Sequence, residues 1–503
     1  MSTELGSSGP TTPEPAPAAA TRRFRRTLAV LLTGLTVLCL ALVAVNVFNG
    51  PRLTGSHVDA SAVVTAANQR LVLDTNQQLA DVGADQVTVS PAVVVDVQTR
   101  NDSIVIVFPQ PLAYDTEYTV AVIDVTGPFA DRSSDLAVTF HTDEAPFYLL
   151  SRSPAQPGES TKAPDRIVRT TVGSAETSVA FSAPYIQSFV PVGEELVVVA
   201  LADDLSNTLS LVDRDGRAAE LTLPGTGTVH DLQASSSSST VGFRFSSAPG
   251  AAGHVYDNTL FLLDLTRGTV DTVAGLDGEP VQAIAWGFMA NRAEVVAQLF
   301  DTTLLLIDPR VDGVAVPDDT VPDDTVPDDA VPDDAVPIPI GQFPNLNAFA
   351  PDGLRIAVSD QDNQYILDLS TGAEAAIVRD VAGTTPYTAE LRFLTGGEGY
   401  VQRVAEFDQA TGRVRQTLIL VTGDPAAPTT RPVYEPVLPN ETIVGFTISP
   451  NDQYLAIQTV PNGQTQVTDG YPVDPQATTA TTLFVELATG AISRSIVGID
   501  ATW

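Results

Sequence analysis

Side chains able to act as nucleophiles, metal ligands or near-neutral proton carriers are scarce in this sequence. Its 503 residues hold four histidines, one cysteine, Cys39, and one lysine, Lys162. His230 and His254 fall in one stretch near loops, and a histidine without a neighbouring ligand group reads as a hydrogen-bonded or solvated side chain. His57 reads as a linker residue and His141 as a strand-end residue, with no second His, Cys or clustered carboxylate beside either. A lone cysteine forms no internal disulfide, and Cys39 lies inside an apolar run, where it reads as lipid-facing filler. No G-x-S-x-G, H-E-x-x-H, phosphate-binding loop or Cys-His cluster occurs. The reading is therefore of no catalytic, cofactor-binding or metal-ligating residue, and of a protein that is not an enzyme. One alternative leaves no local trace: a hydrolase or lyase whose divalent ion is held in a central channel by carboxylates from distant segments.

Acidic groups, by contrast, are abundant: 61 Asp and Glu against 26 Lys and Arg, for a net charge of −35. Such a surface repels nucleic acid and attracts cations. The densest run is "VPDDTVPDDTVPDDAVPDDAVP", 316–337. Proline at every fifth position forbids helix and central strand, so the segment reads as a disordered acidic loop at a blade junction. Its contour is at most about 70 Å at ~3.1 Å per residue. It lacks the Gly turn and the fixed ligand offsets of a calcium loop. "DRDG", 213–216, fails the same test and reads as a hairpin turn.

The elements that must position these groups follow from a repeated phrase. "YILDLSTGAE" at 365 has near-copies in "FLLDLTRGTV" at 261, "LLLIDPRVDG" at 304 and "LFVELATGAI" at 483, and looser ones at 209 and 404. With "LNAFAPDGLRIAVSDQDN" upstream, one copy spells four short antiparallel strands joined by tight turns. Gly stands where positive φ is wanted, and Asp or Asn where a side chain can bond its own backbone. Asp213, Asp264, Asp308, Asp368 and Asp408 recur at the turn before the outer strand. A four-stranded blade cannot bury both faces alone, so blades must stack. Six units can be counted, and the leading "FYLLSRS…DRIVRTTV" and the closing "GIDATW" are partial pieces that would share a further blade. The count predicts a β-propeller of about seven blades over 147–503, with six and eight the alternatives. "FAPDGLRIAVSDQDNQYILDLSTG" and "ISPNDQYLAIQ…LFVELATG" resemble the WD40-like repeats of TolB-type propellers.

Residues 58–145 spell a separate all-β unit, with short runs rich in β-branched residues at about ten-residue spacing that suggest an antiparallel sandwich. "LVLDTNQQLADVGADQVTVSPAV", "SIVIVFPQPLAYDTEYTVAVIDVTG" and "DLAVTFHT" resemble the SbsA-type bacterial Ig-like domain, through Leu112, Thr116, Tyr118, Thr119 and Val120 most specifically. That resemblance implies a spacer or adhesive module without catalysis. Tyr118 reads as a core aromatic.

The N-terminus supplies an address. Residues 1–26 read as a disordered cytoplasmic tail, rich in small residues and proline. From Thr27 to Phe48 about 22 residues carry no charge, enough for about 30 Å of helix. Arg22, Arg23, Arg25 and Arg26 flank its start, which predicts a single-pass transmembrane helix over 27–49 with its N-terminus in the cytoplasm. The lipid bilayer is then one partner, and an envelope protein or glycan of unknown identity another. The function expected is that of a membrane-anchored extracellular binding or scaffold protein of the bacterial envelope, without a cofactor. A passive cell-wall spacer is a further alternative.

Overall fold

The computed structural model describes residues 27–38, 50–128, 132–154, 162–202, 204–251, 253–309, 337–360, 363–377, 387–397, 399–409, 412–423 and 427–503. Residues 27–38, the first part of the expected transmembrane segment, are helical; 39–49 lie outside the described residues, as do 1–26. Among the described residues no helix is long and apolar enough to cross a membrane.

Two compact units divide the chain. The first comprises Met1–Val63, Asn68–Pro109 and Glu117–His141, the second Val64–Ala67, Gln110–Thr116 and Thr142–Trp503. In the first, Leu53–His57, Gln69–Thr75, Ser103–Phe108 and Asp96–Arg100 form a four-stranded antiparallel sheet in that order. Val87–Ser90, Glu117–Val125 and Ser134–His141 form a three-stranded one. Glu117–Val125 follows the period-2 rule, burying Tyr118, Val120 and Val122. Phe140 of the smaller sheet stacks on Tyr118 and meets Phe108 of the larger at 6.2 Å between centroids, which joins the two faces. One expectation needs correcting: His57 reads as a linker residue before a unit that begins at 58, yet Leu53–His57 is a strand paired to Gln69–Thr75. It is an edge strand of small and polar residues, held through its backbone, so no hydrophobic alternation announced it. His57 is consequently a strand residue.

The second unit contains seven four-stranded antiparallel sheets. Blade 1 is shared between the two ends of the unit: Pro146–Ser151, Asp165–Thr171 and Ser178–Ala183 are joined by the last strand, Ile499–Thr502, which pairs with Pro146–Ser151. Blades 2 to 7 are contiguous, running from innermost to outermost strand. Their innermost strands are Ile186–Val192, Gly227–Ala234, Ala283–Phe288, Asn345–Phe349, Tyr387–Phe393 and Thr442–Ile448. Each innermost strand lies against the next, and Ile499–Thr502 touches both blade 7 and Ile186–Val192, which closes the ring. This topology is a β-propeller. Closure leaves each innermost strand with only a short edge, turned toward the channel and protected there.

Each of the seven junctions between neighbouring blades holds its own apolar cluster. Because both faces of a blade are covered, its middle strands are buried over consecutive residues: in Glu195–Leu201, Leu196 to Val199 are all buried. Packing is close enough to demand glycine at two places. A Cβ on Gly242 would overlap the Trp286 ring of the next blade, and one on Gly287 would overlap Phe349 of the blade after that. The acidic repeat 316–337 lies outside the described residues apart from Pro337. Its flanks nevertheless correct its expected place at a blade junction: blade 4 takes its third strand, Thr303–Ile307, from before the repeat and its fourth, Ile338–Gln342, from after it. "PIPIG" was not legible as a strand because proline removes ladder donors, a loss that only an outermost strand tolerates.

Candidate functional site

All seven innermost strands share one irregularity. Pairing with the neighbouring strand skips Gln187, Asp231 with Leu232, Ile284, Asn347, Ala389 with Glu390, Val444, and Asp500 with Ala501. A bulge interrupts the ladder and re-aims side chains. Asp231, Val444 and Asp500 are solvent-exposed although they sit on the strands nearest the ring axis, so they face the central channel. Asp231 and Asp500 hold φ of 48° and 53°, a conformation that a short polar side chain tolerates.

Each bulge leaves backbone groups without a ladder partner, and a buried orphan of that kind is costly. The chain answers with a polar side chain on each blade reaching toward the next. At six of the seven junctions it meets the backbone within two residues of the next bulge; the exception is Gln298, which meets the connection leading into blade 5. Arg152 Nε donates to Ile186 O at 3.1 Å, Gln187 Nε2 to Val229 O at 2.7 Å and Arg244 Nη1 to Ala283 O at 3.0 Å. Gln298 Nε2 donates to Phe343 O at 2.7 Å, Gln364 Nε2 to Ala389 O at 3.0 Å and Arg403 Nη1 to Ile443 O at 2.6 Å. At the last junction Thr482 Oγ1 donates to Gly498 O at 2.9 Å.

Where the ring closes, this belt becomes a buried charged cluster. Asp165, with no exposed surface, accepts from Ser153 N at 2.8 Å, Ile186 N at 2.9 Å, Lys162 Nζ at 2.6 Å and the Tyr471 hydroxyl. Arg152 pairs with Asp469 at 2.7 Å and stacks 4.0 Å above the Tyr471 ring. Burial, then the Asp165 carboxylate, push the Tyr471 hydroxyl far above its ordinary range. The sole lysine is thus a structural cation. Asp469 and Tyr471 come from the long connection between Tyr454–Val460 and Thr481–Glu486, which blade 7 drapes over the closure.

Two carboxylates at the inner-strand bulges are engaged: Asp231 by Arg244, and Glu390 by Arg392 at 3.0 Å. Although water reaches Asp500, the protein crowded around it in the channel desolvates its carboxyl and pushes it up to about 6, with Arg152 opposing and Asp474 adding to the rise. His230, on the innermost strand of blade 3, is held below its usual value by desolvation and by Arg244. His254 lies apart, against Tyr256 at 4.6 Å. Among the described residues no group of three or more His, Cys, Asp or Glu is placed to hold a metal ion. The recurring aspartates tie their turns: Asp213, Asp264 and Asp368 each accept two backbone N–H groups from the residues that follow.

A different surface is built for contact. In blade 6 the strands Gly399–Asp408 and Arg413–Thr422 are ten residues long and overrun both neighbours. Tyr387–Phe393 pairs no further than Ala405, and Thr429–Tyr434 pairs only from Leu418 onward. Beside the overhang, Glu441 fixes the segment after Tyr434, accepting from Val437 N at 3.1 Å, Leu438 N at 3.2 Å and the Tyr434 hydroxyl at 2.8 Å. Between hairpin and segment lies a cleft of about 780 Å³. Around it stand Tyr387, Phe407, Val414, Val437 and Leu438, between 51% and 80% exposed. Nothing in the sequence reading singled out these residues. The only local signals are a hairpin longer than its neighbours and two prolines bracketing "VL" in "EPVLPNE".

No known sequence family and no curated protein matches the chain. Solved structures give weak similarities. TolB from Acinetobacter baumannii is 11% identical with a TM-score of 0.35, over 83% of this chain and 82% of that one. The β-propeller domain of the Trilobed protease from Pyrococcus furiosus is 12% identical with a TM-score of 0.40, over 66% and 96%. Pyrococcus horikoshii acylaminoacyl peptidase is 12% identical with a TM-score of 0.40, over 67% of this chain. The match spans about half, 51%, of that peptidase.

Proposed function

We propose that this chain is a binding module of the bacterial envelope, anchored in the membrane by residues 27–49, whose propeller takes a protein partner at the cleft of blade 6. The observation that carries this reading is the clustering of five exposed large apolar side chains around one cleft, held open by Glu441. Contiguous apolar surface of this kind marks contact sites on soluble domains. The first unit serves as a spacer of the SbsA-type Ig-like kind, a role consistent with its two facing antiparallel sheets. The uncharged run Thr27–Phe48 behind four arginines supports the anchor, as do Leu31, Leu35 and Leu38, which the 27–38 helix leaves more than half exposed. The alternative, a channel-metal hydrolase or lyase, is disfavoured because Arg244 and Arg392 already hold two of the carboxylates at the inner-strand bulges.

The test is site-specific photocrosslinking in intact cells. A photoreactive residue at Phe407 or Val437 should give a discrete protein adduct. One at Val497, 68% exposed on blade 7, should not. Equal labelling at all three would overturn the cleft as the binding site. Protease added to whole cells should digest the propeller of the parent chain but spare it once Arg22, Arg23, Arg25 and Arg26 are all Glu; unchanged digestion would refute the anchor's orientation.

A further inference from the structure

The cleft of blade 6 has a wall of unusual chemistry. Antiparallel pairing sends the backbone groups of alternate residues to opposite sides of a strand. In Arg413–Thr422, Ile419 stands opposite Pro432. Proline has no N–H to give, so Ile419 directs its own groups to the other side, toward Gln402. Leu418, Leu420 and Thr422 therefore face Thr429–Tyr434, and by the same parity so do Val414 and Gln416. Those two positions lie beyond the reach of that strand, so their N–H and C=O groups point into the cleft as an open ladder edge. The Gln416 side chain is occupied on its own account, accepting Ile443 N at 2.7 Å.

Native sheets normally blunt such an edge with charge, proline or a covering loop. Charge is present here too, on Arg413 and Arg415 to either side of Val414 and on Glu406 and Asp408 across the hairpin. The edge at Val414 and Gln416 is nevertheless left unpaired by the strand Thr429–Tyr434 and stands beside exposed apolar groups: Val414 lies opposite Phe407, with Val437 and Leu438 on the far wall. An edge of unpaired amides beside an apolar wall is what an added strand uses, the ladder supplying affinity and alternate side chains supplying specificity. Resting on the reading of this cleft as the partner site, we infer that its occupant is an extended, proline-free segment of a partner protein, adding as a strand along Val414–Gln416 with β-branched or aromatic side chains turned toward Phe407 and Val437. A second copy of this chain is the poorer occupant, because a net charge of −35 opposes self-association.

The experiment selects from a displayed library of random nonapeptides on the full-length chain. Enriched peptides should be proline-free and alternate apolar with polar residues. N-methylation of alternate amides in a selected peptide should weaken binding tenfold or more, whereas methylation of the intervening amides should not. Val414→Pro removes one outward N–H without touching the hairpin's own ladder, and should cause a similar loss with circular dichroism unchanged. Should Val414→Pro unfold the hairpin, the methylation pattern still decides. Loss of binding in Val437→Asp together with indifference to methylation would overturn strand addition while leaving the cleft as a binding site. Equal enrichment of the same peptides on Val437→Asp and on the parent chain would overturn both. Self-association of the parent chain that Val414→Pro abolishes would replace the partner segment with a second copy.

Discussion

Asp165 shows how much one side chain holds at the ring's seam. It gathers two backbone N–H groups, the only lysine and a tyrosine hydroxyl from three separate stretches of chain. Asp165→Asn leaves the Lys162 ammonium buried without its counter-charge, an error that costs about 3–5 kcal/mol. Urea denaturation should show that loss, and adding Lys162→Met should recover most of it. Asp500 acts in the opposite sense. Its folded pKa of about 6 lies above the ordinary carboxyl value, so the folded state is the better proton binder, and stability falls as pH rises from about 4 through 6. Asp500→Asn suits the same left-handed backbone. It should raise the melting temperature at pH 8 and leave it unchanged near pH 4; a rise at both would point to a cause other than this titration. Neither residue drew notice in the sequence, because an Asp in "KAPDR" or "GIDATW" has no local feature setting it apart from the other acidic groups. The turn aspartates were readable, since their work is done within four residues.

Among the elements, strands and tight turns were the legible part. Period-2 alternation and the Asp-x-x-x-Gly turns mark "YILDLSTGAE" and its copies from local chemistry alone. Three elements escaped for physical reasons: Leu53–His57, held by its backbone; Ile338–Gln342, carrying proline at an outer edge; and the bulges, which are defined only against a partner strand. Close approach between blades was equally hidden. Gly242 sits mid-strand, where glycine is ordinarily a weakness, and only the Trp286 ring of the next blade explains it. Gly242→Ala should destabilise the propeller by about 1–3 kcal/mol through overpacking. A second change, Trp286→Phe, should return part of that in thermal melts; no interaction between the two changes would refute the contact.

For the propeller as a whole, closure is the decisive event. The four residues Ile499–Thr502 supply the innermost strand of blade 1, so blade 1 forms only after the other blades have been synthesised. Deleting residues 499–503 bares the edge of Pro146–Ser151 and removes Ile499 and Ala501 from two junction clusters. Such a chain should lose its single cooperative unfolding transition and associate in light scattering, as an open edge predicts. A monomer with unchanged cooperativity would show that the seam contributes nothing.

The amino-acid sequence by itself determined the all-β class, the repeated four-stranded unit and the shared blade, because alternation and turn chemistry are written within ten or twenty residues. It determined equally that 27–48 is uncharged behind four arginines. Only tertiary structure decided which polar side chains bridge the junctions, which carboxylates face the channel and where a strand overruns its neighbours to leave an open cleft. Those features join residues as far apart as Asp165 and Tyr471, and ring closure brings them together with no periodicity to foretell it.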